Sequence, residues 1–121
     1  MKDDADRLRN RVIKNQLIVH AEANAIAAAA RNGHSLKGGT MYSTMPPCTQ
    51  CASLIIQAGI KKVLHFTNTT ETWGDNMSLA KVLMDHEAEI EVIEVTIKGR
   101  FVMRRIRLPA LPAKKATLRN F

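Results

Sequence analysis

The spacing of apolar residues along the chain predicts alternating helices and strands. Apolar side chains recur at near-helical intervals in residues 4–18, which are predicted to form a helix or a helix with a short linker. Residues 21–32 are rich in alanine, the best helix former, and Gly33 follows them as a natural stop. Residues 40–44 contain β-branched and aromatic side chains and predict a short strand that ends before Pro46.

The second half of the chain continues this alternation. The predicted elements are, in order, a helix at 49–59, a buried strand at 61–66, a loop at 67–76, an amphipathic helix at 77–86 and a strand at 88–95. Strands that alternate with helices form βαβ crossovers, in which the strands run parallel and the helices pack on the sheet. The predicted fold class is therefore α/β, in a layered sandwich.

Length and composition indicate one globular domain. The chain has 121 residues, of which 45% are hydrophobic and 24% are charged, as in ordinary folded proteins. No apolar run approaches the roughly 18 residues that span a bilayer, so no membrane partner is expected. The first residues are charged and lack the apolar stretch of a secretory signal, so a cytoplasmic location is expected.

Positive charge is concentrated at the C-terminal end. Residues 1–95 carry 10 Lys and Arg residues against 11 Asp and Glu residues, whereas residues 96–121 carry 8 basic residues and no acidic ones. We therefore divide the chain into a domain over 1–95 and a basic tail over 96–121, which is either a hairpin around Lys98-Gly99 or a disordered end. A basic tail can contact nucleic acid, but its sparse aromatic residues favour a solvated end.

Cys48 and Cys51 are the only two cysteines, and their spacing has three interpretations. The pair is a redox couple of the thioredoxin type, half of a structural zinc site, or part of a catalytic metal site. A structural site with four protein ligands would need a second cysteine pair or two neighbouring histidines, and the sequence has neither. Cys48 opens a predicted helix, whose positive N-terminus favours thiolate, and residues i and i+3 share a helix face. These features favour a metal site.

His20 supplies a third ligand if the two predicted helix starts meet over the sheet. It opens the alanine-rich helix, and helical side chains tilt toward the N-terminal end. Three protein ligands leave the fourth position of a zinc ion open, which is the catalytic pattern. Glu22 lies two residues further on, points in another direction, and can handle protons beside that open position. An H-x-E motif followed by P-C-x-x-C, here starting at His20 and Pro47, is the signature of zinc deaminases.

The strings HAEANAI and GGTMYSTMPPCTQCASLIIQAGIKKV carry a resemblance to a known family. They follow the patterns HAExNAI and YxTxxPCxxCAxxIIxxGIKxV of the deoxycytidylate (dCMP) deaminases nearly residue by residue. The chain therefore resembles the cytidine and deoxycytidylate zinc deaminase superfamily, and most closely its dCMP branch, over residues 4–95. The basic lead-in DRLRNRVIKNQLIV is also similar to that of the dCMP branch.

This resemblance implies a fold, a cofactor and a reaction. The fold would be the cytidine deaminase-like α-β-α sandwich with a mixed, mainly parallel central sheet. Zn²⁺ would be held by His20, Cys48 and Cys51, and Glu22 would be the catalytic proton shuttle in the hydrolysis of dCMP to dUMP and ammonia, which feeds thymidylate synthesis. The protein would be a homo-oligomer. Asn24 belongs to the family string either as a substrate contact or as a structural helix residue, and no further substrate-binding residue is assigned.

The N-terminal region departs from the family pattern. Family members have a helix and two antiparallel strands before the HAE motif, but only 19 residues precede His20 here, and their pattern is helical. The domain is therefore expected to be N-terminally short, with an open sheet edge beside the strand at 40–44. We favour a fragment or truncated form of a longer enzyme. The basic tail or a partner chain could instead cover the open edge.

Two other functions stay open at the level of sequence. A deaminase that acts on tRNA or single-stranded DNA is favoured only by the basic tail. A non-catalytic, zinc-stabilised domain of the same fold is favoured by the missing strands. Glu22 argues against the latter, because a structural zinc site has no use for a carboxylate beside an open position.

Overall fold

The computed structural model describes residues 5, 9–66, 74–97 and 100–107. Its helices are α1 (Arg11–Leu17), α2 (Ala21–Arg31), α3 (Thr49–Gln57) and α4 (Gly74–Val82), the last continued by a π-helical turn over Leu83–Glu87. Its strands are β1 (Thr40–Ser43), β2 (Lys62–Phe66), β3 (Glu91–Ile97) and β4 (Phe101–Ile106). None of the helices in these ranges is long and apolar enough to cross a lipid bilayer.

The strands form one mixed sheet in the order β1-β2-β3-β4. Strands β1, β2 and β3 are parallel, and β4 is antiparallel to β3. Parallel neighbours cannot be joined by a tight turn, so α3 connects β1 to β2 and α4 connects β2 to β3. The predicted α/β class with a mainly parallel sheet is confirmed.

The core lies between one face of the sheet and the helices. Met41, Val63 and Val92 lie opposite one another on the three parallel strands, and all three are buried. Ile55 of α3 and Met84 of the π-helical turn pack against them with no exposed surface. Side chains on a strand alternate between faces, so the next position along each strand belongs to the opposite face. There the structure leaves large apolar side chains open to solvent, among them Tyr42, Phe101 and Met103.

The predicted helix stops are confirmed at both glycines. Gly33 follows α2 with a φ of 71°, and Gly59 follows α3 with a φ of 79°. Only glycine adopts this left-handed conformation without steric cost. At Gly59 a side chain would also meet Lys37, whose Cα would lie 3.3 Å from an added Cβ.

Helix α4 begins earlier than the sequence predicts. Residues 74–76 were expected to end a polar loop, but they form its first turn, and the helical segment runs on to Glu87. The polar residues of this stretch favour a loop when only local sequence is considered. Asn76, however, contacts α3, which is distant in the sequence. Residues 67–73 of the predicted loop lie outside the described residues.

The hairpin formed by β3 and β4 lies at the sheet edge opposite β1. Ile97 pairs with Phe101, and β4 takes the free edge of the strand that immediately precedes it in the chain. The alternative in which this hairpin covers the edge beside β1 is therefore excluded for the described residues 100–107. In the part of the chain that the structure describes, β1 pairs with β2 alone. Residues 108–121 of the tail lie outside that part.

His65 is a buried polar residue within this core. Its side chain is 1% exposed, and Nδ1 donates to the carbonyl oxygen of Phe66 at 2.8 Å. A carbonyl only accepts, so Nδ1 carries the hydrogen and Nε2 is the unprotonated nitrogen. Nε2 has no hydrogen-bond partner among the described residues. Burial lowers the pKa of His65 below its ordinary value of 6.5.

Acid should therefore destabilise the fold through His65. The unfolded state binds the proton at a higher pH than the folded state, so stability is fully present above pH 6.5 and is lost as the pH falls toward the lowered pKa. The free energy of unfolding in urea should decrease by up to about 1.4 kcal/mol per pH unit in that window. The dependence of the unfolding free energy on pH should be weaker in His65→Leu. Each variant is compared with its own stability at about pH 7.5. His34→Gln, at an exposed position, should keep the wild-type slope; an unchanged slope in His65→Leu would assign the acid sensitivity elsewhere.

Candidate active site

His20 and Cys48 stand at the N-termini of two different helices. Each has an extended backbone and its carbonyl accepts the first helical hydrogen bond, from Asn24 of α2 and Ala52 of α3 respectively. Neither side chain caps its own helix. The imidazole and the thiol are therefore free to make contacts beyond their helices.

The two helix starts meet just beyond the carboxyl end of β1. His20 Nδ1 lies 3.4 Å from Cys48 Sγ and 3.4 Å from Cys51 Sγ. Cys51 is one turn into α3 and is buried, whereas Cys48 is half-buried. Pro46 and Pro47, both buried, lead the chain from the strand into α3. The structure thus brings together the three residues that the sequence predicted as ligands. As expected, they meet where the N-termini of α2 and α3 approach each other.

The three donor atoms suit a zinc ion. They all lie within 4.8 Å of one another. A tetrahedral ion with a Zn–N bond of about 2.0 Å and Zn–S bonds of about 2.3 Å separates such ligand atoms by about 3.5 Å, close to the distances observed. One imidazole nitrogen and two sulfurs form a donor set that Zn²⁺ prefers, and it leaves one of four positions open. Zn²⁺ is therefore the cofactor that this site fits.

Without a bound cation, the site disfavours a negative charge on Cys51. Burial, followed by the neighbouring Cys48, raises the pKa of Cys51 to about 12, and the negative charge of Glu22 adds to the effect. Without a cation, Cys51 is therefore a protonated thiol near neutral pH. A divalent cation reverses the balance, because coordination stabilises the thiolate and releases the proton.

Glu22 is the second residue of α2 and is half-buried. Its Oε1 accepts a hydrogen bond from Ser43 Oγ, at the end of β1, at 2.6 Å. Its negative charge lies near enough to the ligand cluster to contribute to the raised pKa of Cys51. Asn24, in contrast, is exposed and does not line the cavity at the site, which favours its interpretation as a structural helix residue.

A cavity of about 640 Å³ opens beside the three ligands. This volume is in the range of small-molecule sites. Its walls come from α1, from the start of α2, from the segment between β1 and α3, and from the start of α4. Glu22 and Ser43 line it, and Arg11 and Lys14 of α1 add two positive side chains.

Asn76 lines the cavity and contacts the start of α3, a role that the sequence pattern did not predict. Its Oδ1 accepts from the backbone N–H of Thr49 at 2.8 Å, and its Nδ2 donates to Thr49 Oγ1 at 3.1 Å. Thr49 is the first residue of α3, so Asn76 supplies from α4 the cap that the Cys48 side chain does not provide. No local pattern could have revealed this contact, which joins residues 27 positions apart.

Comparisons with known proteins agree with this site. The sequence profile of the cytidine and deoxycytidylate deaminase zinc-binding region matches residues 6–67. Over 84 residues the chain is 57% identical to the deoxycytidylate deaminase of enterobacteria phage T4, an alignment that covers 67% of this chain. It is 39% identical over 72 residues to the human deoxycytidylate deaminase, covering 60% of this chain.

A solved structure shares the fold. The crystal structure of dCMP deaminase from the cyanophage S-TIM5, in apo form, superposes with a TM-score of 0.52 and 30% sequence identity over 69% of this chain and 57% of that one. The aligned part is 39% of the phage T4 protein and 39% of the human protein. The chain thus spans well under two thirds of the length of these relatives.

Removal of the Asn76 cap should weaken metal binding. In Asn76→Ala the N–H of Thr49 loses its partner, and a lost cap costs a helix about 1 kcal/mol. We expect this loss to destabilise the metal-bound state relative to the metal-free state, so the Kd for Zn²⁺ should rise roughly fivefold. Competition against a chromophoric zinc chelator measures the change. Asn32→Ala, at the exposed end of α2, is the matched control and should keep the wild-type Kd; equal Kd values for both variants would rule out this role of Asn76.

Proposed function

Because the chain belongs to the cytidine and deoxycytidylate deaminase family, we propose that it carries the catalytic centre of a zinc-dependent enzyme that hydrolyses dCMP to dUMP and ammonia. The observation that carries this proposal is the convergence of His20, Cys48 and Cys51 at a cavity that His20, Cys48 and Glu22 line. The choice of dCMP rests on the relatives, which are named deoxycytidylate deaminases. The product dUMP would serve thymidylate synthesis.

The residues of the site have separate tasks in this reaction. His20, Cys48 and Cys51 would hold Zn²⁺, which as a Lewis acid makes water a nucleophile at neutral pH. The Glu22 carboxylate takes a proton from the attacking water and returns it to N3 of the cytosine ring. As the water oxygen bonds to C4 of the ring, its second proton passes to the exocyclic amine, the C4–N bond breaks, and the amine leaves as ammonia while the oxygen becomes the C4 carbonyl of dUMP. Because the cavity wall keeps Glu22 half-buried, the proton stays within the site during these transfers.

Replacing the proton shuttle should abolish turnover without loss of the metal. Glu22→Gln keeps the shape of the side chain and its hydrogen-bonding capacity toward Ser43, but it cannot take up a proton. Zinc content by elemental analysis should stay at the wild-type value, while ammonia release from dCMP should fall by roughly 100-fold or more. Turnover that survives in Glu22→Gln would contradict the assigned role, and stoichiometric zinc with no turnover in the wild-type chain would favour a non-catalytic domain.

Arg11 and Lys14 support a nucleotide rather than a nucleoside as substrate. Both residues line the cavity that Glu22, His20 and Cys48 also line, and both lie on the exposed helix α1. Among the ion pairs of the described residues, neither is engaged with a carboxylate. Two free cations at a cavity wall suit a phosphate group. We therefore propose that they bind the 5′-phosphate of dCMP.

Neutralising these two cations should impair only the phosphorylated substrate. In Arg11→Met with Lys14→Met, KM for dCMP should rise about tenfold or more, because each charged hydrogen bond to phosphate is lost. Turnover of deoxycytidine, which has no phosphate, should not change. Arg31→Met at the end of α2, outside the cavity lining, is the control. A parallel loss on both substrates would indicate that α1 shapes the cavity instead.

The alternative of a nucleic-acid deaminase receives less support. Arg104 lies on β4, at the sheet edge opposite β1, and its guanidinium is 3.6 Å from the Glu94 carboxylate. Two strands, β2 and β3, thus separate this basic strand from β1, which ends at the site. An assay with dCMP, dCTP, cytidine and a tRNA adenosine substrate in parallel separates the alternatives. Turnover confined to the tRNA would replace the dCMP proposal.

Self-association is a further part of the proposal. The sheet face that carries Tyr42, Phe101 and Met103 exposes 76%, 71% and 66% of these side chains. Large apolar patches on a surface favour association. Sedimentation equilibrium of the zinc-loaded protein measures the oligomeric state directly.

A further inference from the structure

Ser43 is placed where it can control the orientation of Glu22. It is the last residue of β1, and it lies on the same sheet face as the buried Met41, two positions earlier. Its side chain is therefore directed toward the helix layer, at the edge where α2 and α3 begin. The hydroxyl lies 2.6 Å from Glu22 Oε1.

A second contact fixes the hydroxyl itself. Ser43 Oγ also lies 2.7 Å from the carbonyl oxygen of Met45, two residues further along the chain. The position of Oγ is thus set by two oxygens, one of them on the backbone that leads to Pro46 and Cys48. In the described residues, Glu22 Oε1 has this anchor and Glu22 Oε2 has no hydrogen bond.

The hydrogen bonds among these three oxygens can be arranged in more than one way. Ser43 has one hydroxyl hydrogen and the Met45 carbonyl has none, so the hydroxyl donates either to Glu22 or to Met45. When the hydroxyl turns to Met45, it can accept a hydrogen bond from a Glu22 carboxyl group that holds a proton. Ser43 therefore has a hydrogen bond to offer Glu22 both before and after proton uptake.

We propose that Ser43 is a positioning residue for Glu22, which holds Oε1 through the proton transfers and leaves Oε2 directed to the reacting groups. This inference rests on the proposed deaminase function and deepens it, because it assigns the restraint that keeps the proton shuttle aimed. A glutamate has three rotatable side-chain bonds, so an unanchored carboxylate at a cavity wall would sample several orientations.

Three replacements at position 43 test the proposal on zinc-loaded protein. Ser43→Ala removes the hydroxyl, Ser43→Val removes it while filling the space, and Ser43→Thr restores it. For Ser43→Ala and Ser43→Val, kcat for dCMP should fall roughly tenfold to a hundredfold, with KM and the Kd for zinc unchanged. Ser43→Thr should recover most of the kcat. Ser53→Ala is the matched control, because Ser53 Oγ bonds the Thr49 carbonyl of α3, away from Glu22, and should keep the wild-type values.

Nuclear magnetic resonance supplies a readout that does not depend on turnover. With ¹³C-labelled glutamate, the Glu22 side chain, assigned through Glu22→Gln, should occupy one rotamer in the wild type and in Ser43→Thr. It should average over several rotamers in Ser43→Ala and Ser43→Val.

The two measurements distinguish the possible failures. An ordered Glu22 in Ser43→Ala, or a kcat restored by valine as fully as by threonine, would overturn the proposal. So would a loss of kcat accompanied by weaker zinc binding, because Ser43 would then only shape the loop to Cys48. If the wild type turns over no substrate while Glu22 still loses order in Ser43→Ala, the proposed function fails and the anchoring contact stands.

Discussion

The meeting of two helix N-termini at the carboxyl end of β1 is the constraint on which the rest of the site depends. Helices α2 and α3 begin with His20 and Cys48, and neither side chain is used to cap its own helix. Both positive helix ends therefore face a common point, where they attract negative charge, although burial outweighs this effect at Cys51 and raises the pKa of its thiol until a cation binds. The buried residues Ala52 and Ile55 fasten α3 to the sheet, so the position of Cys51 follows from core packing rather than from the ligand cluster itself.

Around that point, the structure satisfies polar groups by contacts between different elements. Asn76 of α4 caps α3, and Ser43 of β1 holds Glu22 of α2. Each contact compensates a group that its own element leaves unpaired, namely a helix N–H and a carboxylate oxygen. Three kinds of contact therefore hold the residues of the site in place: core packing, helix caps, and hydrogen bonds that orient the side chains beside the ligands.

One face of the sheet is covered by helices, whereas the other face and the edge at β1 are exposed within the described residues. Between β1 and β4 the hydrogen bonding is continuous, and the helices described here cover the face that carries Met41, Val63 and Val92. The edge of β1 and the face that carries Tyr42 are exposed within the described residues. Open strand edges and large apolar faces are the surfaces that proteins usually cover.

The sequence by itself determined the local features. Periodicity and glycine stops predicted the α/β class and the ends of α2 and α3. The residue types at two helix starts predicted one metal site of His20, Cys48 and Cys51 with Glu22 beside it, and the structure brings the three ligand atoms together. Only the tertiary structure decided the edge at which β4 pairs, the early start of α4, the burial of His65 and the contacts of Asn76 and Ser43. The physical reason is the range of the interactions. Helix and turn signals act within a few residues, whereas the hydrogen bonds of Ser43 and Asn76 join positions 21 and 27 residues apart, so they depend on how complete elements pack against one another.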